Sequence, residues 1–242
     1  MRLIPIILIV LIAGCGSPAP PDRLQVFAAA SLRKTFTALD HTFTEADPGA
    51  TVDLLTAGSA DLLTQLTQGA DADVLATADT PTMDRAELAG LLAGPAVPFA
   101  SNTLTIVVAP GNPRGIKAFR DLAGVNLVVC AVQVPCGSAL PRLQAEAGAE
   151  LSPVSEENSV TDVLGKVTSG QADAGVVYRT DALAAGGAVT AVAFPEAAGA
   201  VNVYRIAVLK GPHNPDLAQR FVDLVTGPAG QQVLAEAGFG KP

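Results

Sequence analysis

Short apolar runs alternate along this chain with stretches whose apolar residues recur every three or four positions. The first pattern is that of buried strands and the second that of amphipathic helices. Residues 24–28 read as a strand, and Leu32, Phe36, Leu39 and Phe43 follow at helical spacing. Further strands are expected at 51–55, 74–77, 104–109, 125–130, 174–178 and 201–209. Helices are expected at 62–69, after Pro81, and at 139–147, 160–167, 217–225 and 230–237. Parallel strands need a crossover between them, and a helix usually supplies it. The alternation therefore commits the chain to an α/β fold of mostly parallel sheets flanked by helices.

Two strands, near 103–109 and 201–209, have no evident helix partner. Each can carry the chain from one lobe to another. The expected division is 23–102 plus 204–242 for lobe one and 103–203 for lobe two, with a ligand cleft between them. Strand ends and helix starts would face that cleft.

The first residues are set apart from this pattern. Arg2 precedes an apolar run over 3–12 that is short for a membrane span. It ends Leu11-Ile12-Ala13-Gly14-Cys15, which is similar to a bacterial lipobox. Residues 1–14 are thus expected to be a signal peptide. Cys15 would be the lipidated residue, and 15–22 a Pro-rich tether at the outer face of the cell membrane. The other reading of the segment is a plain secretory signal. Either way the compartment is extracytoplasmic and oxidising.

That leaves Cys130 and Cys136, an even pair flanking Ala-Val-Gln-Val-Pro. A disulfide closing this short loop is expected. Two free thiols are the alternative. Two thiols without a nearby histidine make a poor zinc site, so no metal ligands are expected. The net charge of −8 disfavours nucleic acid as a partner. It leaves room for a small anion bound by local dipoles.

Several strand-to-helix junctions are suited to that. Val26-Phe27-Ala28-Ala29-Ala30-Ser31-Leu32 runs from a strand through small residues to a serine at a helix start. The first N–H groups of a helix lack partners and carry the positive end of its dipole. Gly58-Ser59-Ala60, Val134-Pro135-Cys136-Gly137 and Asn158-Ser159-Val160 stand at similar junctions, and Tyr178 ends the strand Gly175-Val176-Val177-Tyr178. Ser31, Ser59, the amides near Cys136 and Val160, and the Tyr178 phenol form a set of donors. Ordinary helix capping by Ser31, Ser59, Asn158 or Ser159 is the competing reading of the serines. A donor set without a carboxylate suits an oxyanion that carries no proton. Asp61 lies close to Ser59 in sequence, and its direction decides whether that holds.

These segments, with Ala72-Asp73-Val74-Leu75-Ala76-Thr77-Ala78-Asp79 and Asn102-Thr103-Leu104 through Val107-Val108-Ala109-Pro110, resemble the molybdate-binding proteins of bacterial ABC importers. The resemblance spans essentially the whole chain after the leader. It implies a two-lobe type II periplasmic-binding-protein fold and an oxyanion held by two serines from one lobe. Two backbone amides and a tyrosine hydroxyl from the other lobe complete that set. Carried over, these are Ser31 and Ser59, then Cys136 and Val160, then Tyr178. The family commonly has alanine where Cys136 stands and serine where Ala60 stands. The resemblance further implies molybdate or tungstate as ligand, no cofactor, an ABC permease as partner, and a monomer.

Other functions fit less well. Binders of sulfate, phosphate or an iron complex share the fold. Iron capture would want several tyrosines or histidines, and the chain has two of each. A hydrolase built on Ser31 and His41 fails on distance. Ten helical residues place them roughly fifteen ångströms apart along the axis. His213 sits in a Gly-Pro-His-Asn-Pro turn and is expected to be solvated. Arg33 and Lys34 follow Ser31 and are expected to point into solvent. No enzymatic activity is expected, and a purely structural surface lipoprotein is the last alternative.

Overall fold

The computed structural model describes residues 22–242. The expected signal peptide, Cys15 and nearly all of the expected tether lie outside the described residues. Two five-stranded sheets form two lobes. The first contains β1 (Asp22–Ala29), β2 (Ala50–Ala57), β3 (Val74–Thr77), β4 (Val97–Asn102) and β10 (Asn202–Val208). The second contains β5 (Leu104–Val108), β6 (Leu127–Cys130), β7 (Ser155–Glu157), β8 (Ala174–Tyr178) and β9 (Thr190–Val192).

The strand orders are β2-β1-β3-β10-β4 and β7-β6-β8-β5-β9. In each sheet one strand runs against the rest: β10 in the first and β5 in the second. Those are the strands by which the chain enters each lobe for the last and first time. The expected strands at 103–109 and 201–209 thus begin just after the crossings. β10 opens at Asn202, inside the stretch expected to close lobe two.

Alternation along the strands assigns the two faces of the first sheet. Val26, Val74 and Ile206 join the main core, whereas Phe27, Leu75 and Ala207 join a second cluster with Leu62, Leu63, Leu66 and Met83. α2 (Ser59–Thr67) and α3 (Thr80–Leu88) cover that second face. α1 (Arg33–Ala46), α7 (Pro215–Thr226) and α8 (Pro228–Glu236) cover the first. With no tryptophan in the chain, phenylalanines fill this layer. Phe221 meets Phe36 at 5.9 Å and Phe43 at 5.3 Å between ring centroids, a spacing typical of edge-to-face pairs.

In the second lobe α5 (Val160–Thr168) lies against β6 and β8. Gly175 makes this close approach possible. A Cβ there would stand 2.7 Å from the Val163 Cγ1 atom. α4 (Leu140–Ala147) and α6 (Arg179–Ala185) complete the layers.

Candidate functional site

The strands β1, β2, β6, β7 and β8 all end at the cleft, and the residues after their last positions meet there. Ser31, Ser59, Cys136, Val160 and Tyr178 line one small cavity between the lobes. Its other walls include Ala29, Ala30, Ala78 and Pro135. Neither a carboxylate nor a basic side chain is among its lining residues. Asp61 stands beside Gly58, outside that lining. The enclosed space is about 20 Å³. That exceeds the roughly 10–15 Å³ one water requires and falls far below the hundreds of Å³ of organic-ligand sites.

Ser31 is not the helix cap that its position suggests. It lies inside a 3-10 turn, Ala30–Leu32, that precedes α1. Its Oγ is 2.9 Å from the Tyr204 hydroxyl. Asn102 Nδ2 donates to that hydroxyl from behind at 3.4 Å. Tyr204 can therefore donate its hydrogen bond to Ser31, which frees the serine O–H for the cavity.

Ser59 is the first residue of α2 and also makes no cap hydrogen bond. Its Oγ accepts the Ala78 N–H at 3.1 Å, which leaves its hydrogen to be donated. Tyr178 has the same arrangement. Its hydroxyl accepts from Asn202 Nδ2 at 3.0 Å. Burial pushes the Tyr178 phenol well above its ordinary value, and Tyr204 adds to the shift. Burial also raises the Tyr204 phenol, followed by the effect of Asp181. Both hydroxyls stay protonated and remain donors.

Val160 opens α5, and capping here is real. Ser159 Oγ accepts the Asp162 N–H at 3.3 Å. The Val160 N–H, one turn too early for an intrahelical acceptor, is left to the cavity. Cys136 sits in a run of turns, because α4 starts only at Leu140. Its N–H has no protein acceptor among the described residues. The α2 and α5 N-termini both aim at the cavity and add their dipoles to this donor set.

Cys136 is joined to Cys130, with the Cα atoms 5.6 Å apart. The bridge closes the loop that carries the Cys136 amide. Gly137 lets this loop fold back, since a Cβ there would lie 2.1 Å from the Ala131 carbonyl oxygen. Opening so short a loop is expected to cost about 2 kcal/mol of stability. Urea unfolding with and without reductant measures it, and identical midpoints would remove the bridge from the stability account.

Three functional residues escaped the sequence reading: Tyr204, Asn102 and Asn202. Asn102 and Asn202 pair in register across β4 and β10, where the chain passes between lobes. Asn202 Nδ2 also lies 3.2 Å from the Ala78 carbonyl and 3.1 Å from that of Pro135. It thus ties a first-lobe strand end to two second-lobe elements. Asn102 Nδ2 reaches across as well, donating to Thr180 Oγ1 at 2.7 Å. Asparagine is depleted in strands. An Asn at the mouth of each crossing strand was the available signal.

Other residues considered from sequence fall elsewhere. His41 is exposed on α1. His213 is exposed in its turn, as expected, and lies 3.1 Å from Asp71 and 3.2 Å from Asp73. Arg33 and Lys34 are exposed, on a groove that also touches Asp181. Among the described residues no group of three or more His, Cys, Asp or Glu side chains could hold a metal ion.

A model of the bacterial extracellular solute-binding proteins matches residues 24–240. The chain belongs to this family. It is therefore a binding protein and not an enzyme. Among its relatives is the molybdate-binding protein ModA of Mycobacterium tuberculosis strain H37Rv, 52% identical over 252 residues. That alignment covers 99% of this chain and 97% of the relative. Among solved structures, the periplasmic molybdate-binding protein of Azotobacter vinelandii superposes with a TM-score of 0.78 at 22% identity, covering 90% of this chain and 99% of the other. The sulfate-binding protein SubI of Mycobacterium tuberculosis superposes with a TM-score of 0.73 at 23% identity, covering 90% and 86%. The two-lobe type II architecture of family members is thus shared by binders of different oxyanions, and the fold alone does not choose between them.

Proposed function

We propose that this chain captures molybdate, and tungstate with it, in the interlobe cavity and delivers it to an ABC permease. One observation carries the reading: the cavity gathers three hydroxyls and two helix N-termini and has no carboxylate in its lining. The Ser59, Tyr178 and Ser31 hydroxyls each have a partner behind them, the Ala78 N–H, Asn202 Nδ2 and the Tyr204 hydroxyl, so each can turn its own proton forward. A fully ionised tetrahedral anion is satisfied by such a set. Phosphate keeps a proton near neutral pH and would leave it without an acceptor. Sulfate meets the same protonation test, and relatedness to a molybdate-binding protein at 52% identity favours the larger anion.

The ligands we assign are the Ser31 and Ser59 hydroxyls, the Cys136 and Val160 amides and the Tyr178 hydroxyl. We divide the lobes as 22–102 with 202–242, and 103–201. Lobe closure over the anion shifts an equilibrium between open and closed forms. The closed form is the shape the permease reads. Lipidation at Cys15 would keep the monomeric domain at the outer face of the membrane; the apolar run before Cys15 supports this.

Calorimetry with molybdate, tungstate, sulfate and phosphate tests the reading. Tight binding of the first two, weak sulfate binding and no phosphate heat are expected. Tight sulfate or phosphate binding without molybdate heat overturns it.

A further inference from the structure

We propose that Gly58 sets how closely the two lobes approach, and so decides whether the second-lobe donors reach the anion. The proposal rests on the oxyanion reading of the cavity. Gly58 needs no special backbone. Its φ of −57° and ψ of 137° are open to any residue. The requirement is space. A Cβ at Gly58 would stand 2.2 Å from the carbonyl oxygen of Asn158 and 3.2 Å from its carbonyl carbon.

That contact joins the lobes, since Gly58 precedes α2 in the first and Asn158 precedes α5 in the second. The atoms are backbone and cannot swing aside as a side chain does. Gly137, Gly175 and Gly230 are equally tight, but each meets atoms of its own lobe. Gly238 also faces the other lobe, through a flexible methyl of Leu183. At Gly58 the second lobe itself must retreat.

A methyl there would need a retreat of roughly 1.2 Å or more to restore ordinary van der Waals distance. The wedge sits two residues from Val160. Hydrogen bonds work between about 2.7 and 3.2 Å, so a donor set back by that much is lost. The first-lobe serines would still hold the anion, while the Cys136, Val160 and Tyr178 donors would fall out of reach. Separation of the lobes relieves this contact, so an open unliganded form should not register the change.

The test is Gly58→Ala in the full chain, measured by calorimetry and by small-angle scattering with molybdate, tungstate, sulfate and phosphate. The anion that contracts the parent is expected to bind the variant roughly 1,000-fold or more weakly, as loss of three charge-assisted hydrogen bonds implies. Contraction of the variant should be incomplete. Its unliganded melting temperature should stay within about 2 °C of the parent. Equal affinity and equal contraction overturn the proposal and leave the oxyanion reading standing. Failure of the unliganded variant to fold also overturns it, because the glycine would then serve its own lobe. Contraction of the parent by sulfate alone overturns the molybdate reading and leaves Gly58 tested with sulfate. A parent that responds to none of the four overturns both.

Discussion

Asn202→Asp is expected to bind molybdate roughly ten- to a hundredfold more weakly than the parent, and to be markedly less stable. Asn202 is buried, and its Nδ2 lies within reach of three acceptors: the Ala78 carbonyl, the Pro135 carbonyl and the Tyr178 hydroxyl. Aspartate has nearly the same shape and, when ionised, no donor. Its oxygen would face two carbonyl oxygens that lose their partner, at about 1–3 kcal/mol each. The Tyr178 proton would turn back towards the new carboxylate and leave the cavity. Losing one hydrogen bond to a charged ligand costs about 1.5–3 kcal/mol, which sets the affinity range given. Asn202→Ala should fall between the parent and the aspartate variant, because it removes the donor without adding a competing acceptor. Calorimetry and thermal melts of the three proteins measure this. An aspartate variant with parental affinity would remove Asn202 from the support of the site.

The second large effect concerns Asp181, in the first turn of α6. This carboxyl is 6% exposed and accepts the Tyr178 N–H at 3.2 Å. Burial holds its pKa up at about 7, against the lowering effect of the Tyr178 and Asp181 backbone N–H groups. In the unfolded chain it titrates near 3.8. Between these values the native protein holds a proton that the unfolded chain has released. The associated stability is complete below pH 4 and is lost as pH rises through 7. Asp181→Asn keeps an oxygen for the Tyr178 N–H and never ionises. The variant should match the parent below pH 4, exceed it by about 1.5 kcal/mol of stability at pH 5, and by up to about 4 kcal/mol at pH 8.

Anion affinity should follow the same sign. A dianion bound near Tyr178 favours the protonated carboxyl, so parental affinity falls from pH 6 to pH 8. Arg33 and Lys34, on the groove that Asp181 touches, moderate the fall. The variant should show a flat profile over that range. A parent and variant with parallel pH profiles would exclude Asp181 as the titrating group.

The cavity-lining residues were legible because they lie where strand patterns give way to helical ones. Ser59, Val160 and Tyr178 each stand at such a change of period, and the alanines around Ser31 mark a place kept clear of side chains. What escaped was written in another register. β7 is Ser155-Glu156-Glu157, with no apolar residue to betray a strand. β9 has three residues, and β4 contains Pro98. α6 follows β8 without an intervening loop, so no punctuation marks its start. The hydroxyl partner of Ser31, Tyr204, was not foreseen because it lies 173 positions away. Hydrogen bonds that long in sequence leave no local pattern, and the asparagines behind the hydroxyls belong to the same class.

β10 lies between β3 and β4 in the first sheet, yet it comes from the last fifth of the chain. Strand β4 therefore has no neighbour in that sheet until β10 arrives. A chain emerging N-terminus first can complete the second lobe while the first still lacks its fourth strand. Pairings this distant in sequence are slow to form, and an unpaired edge is open to wrong partners. Arrival of residues 202–208 is thus the step that lets the first lobe close its sheet. A truncation before Asn202 would remove the strand on which both crossings and the buried asparagine network depend.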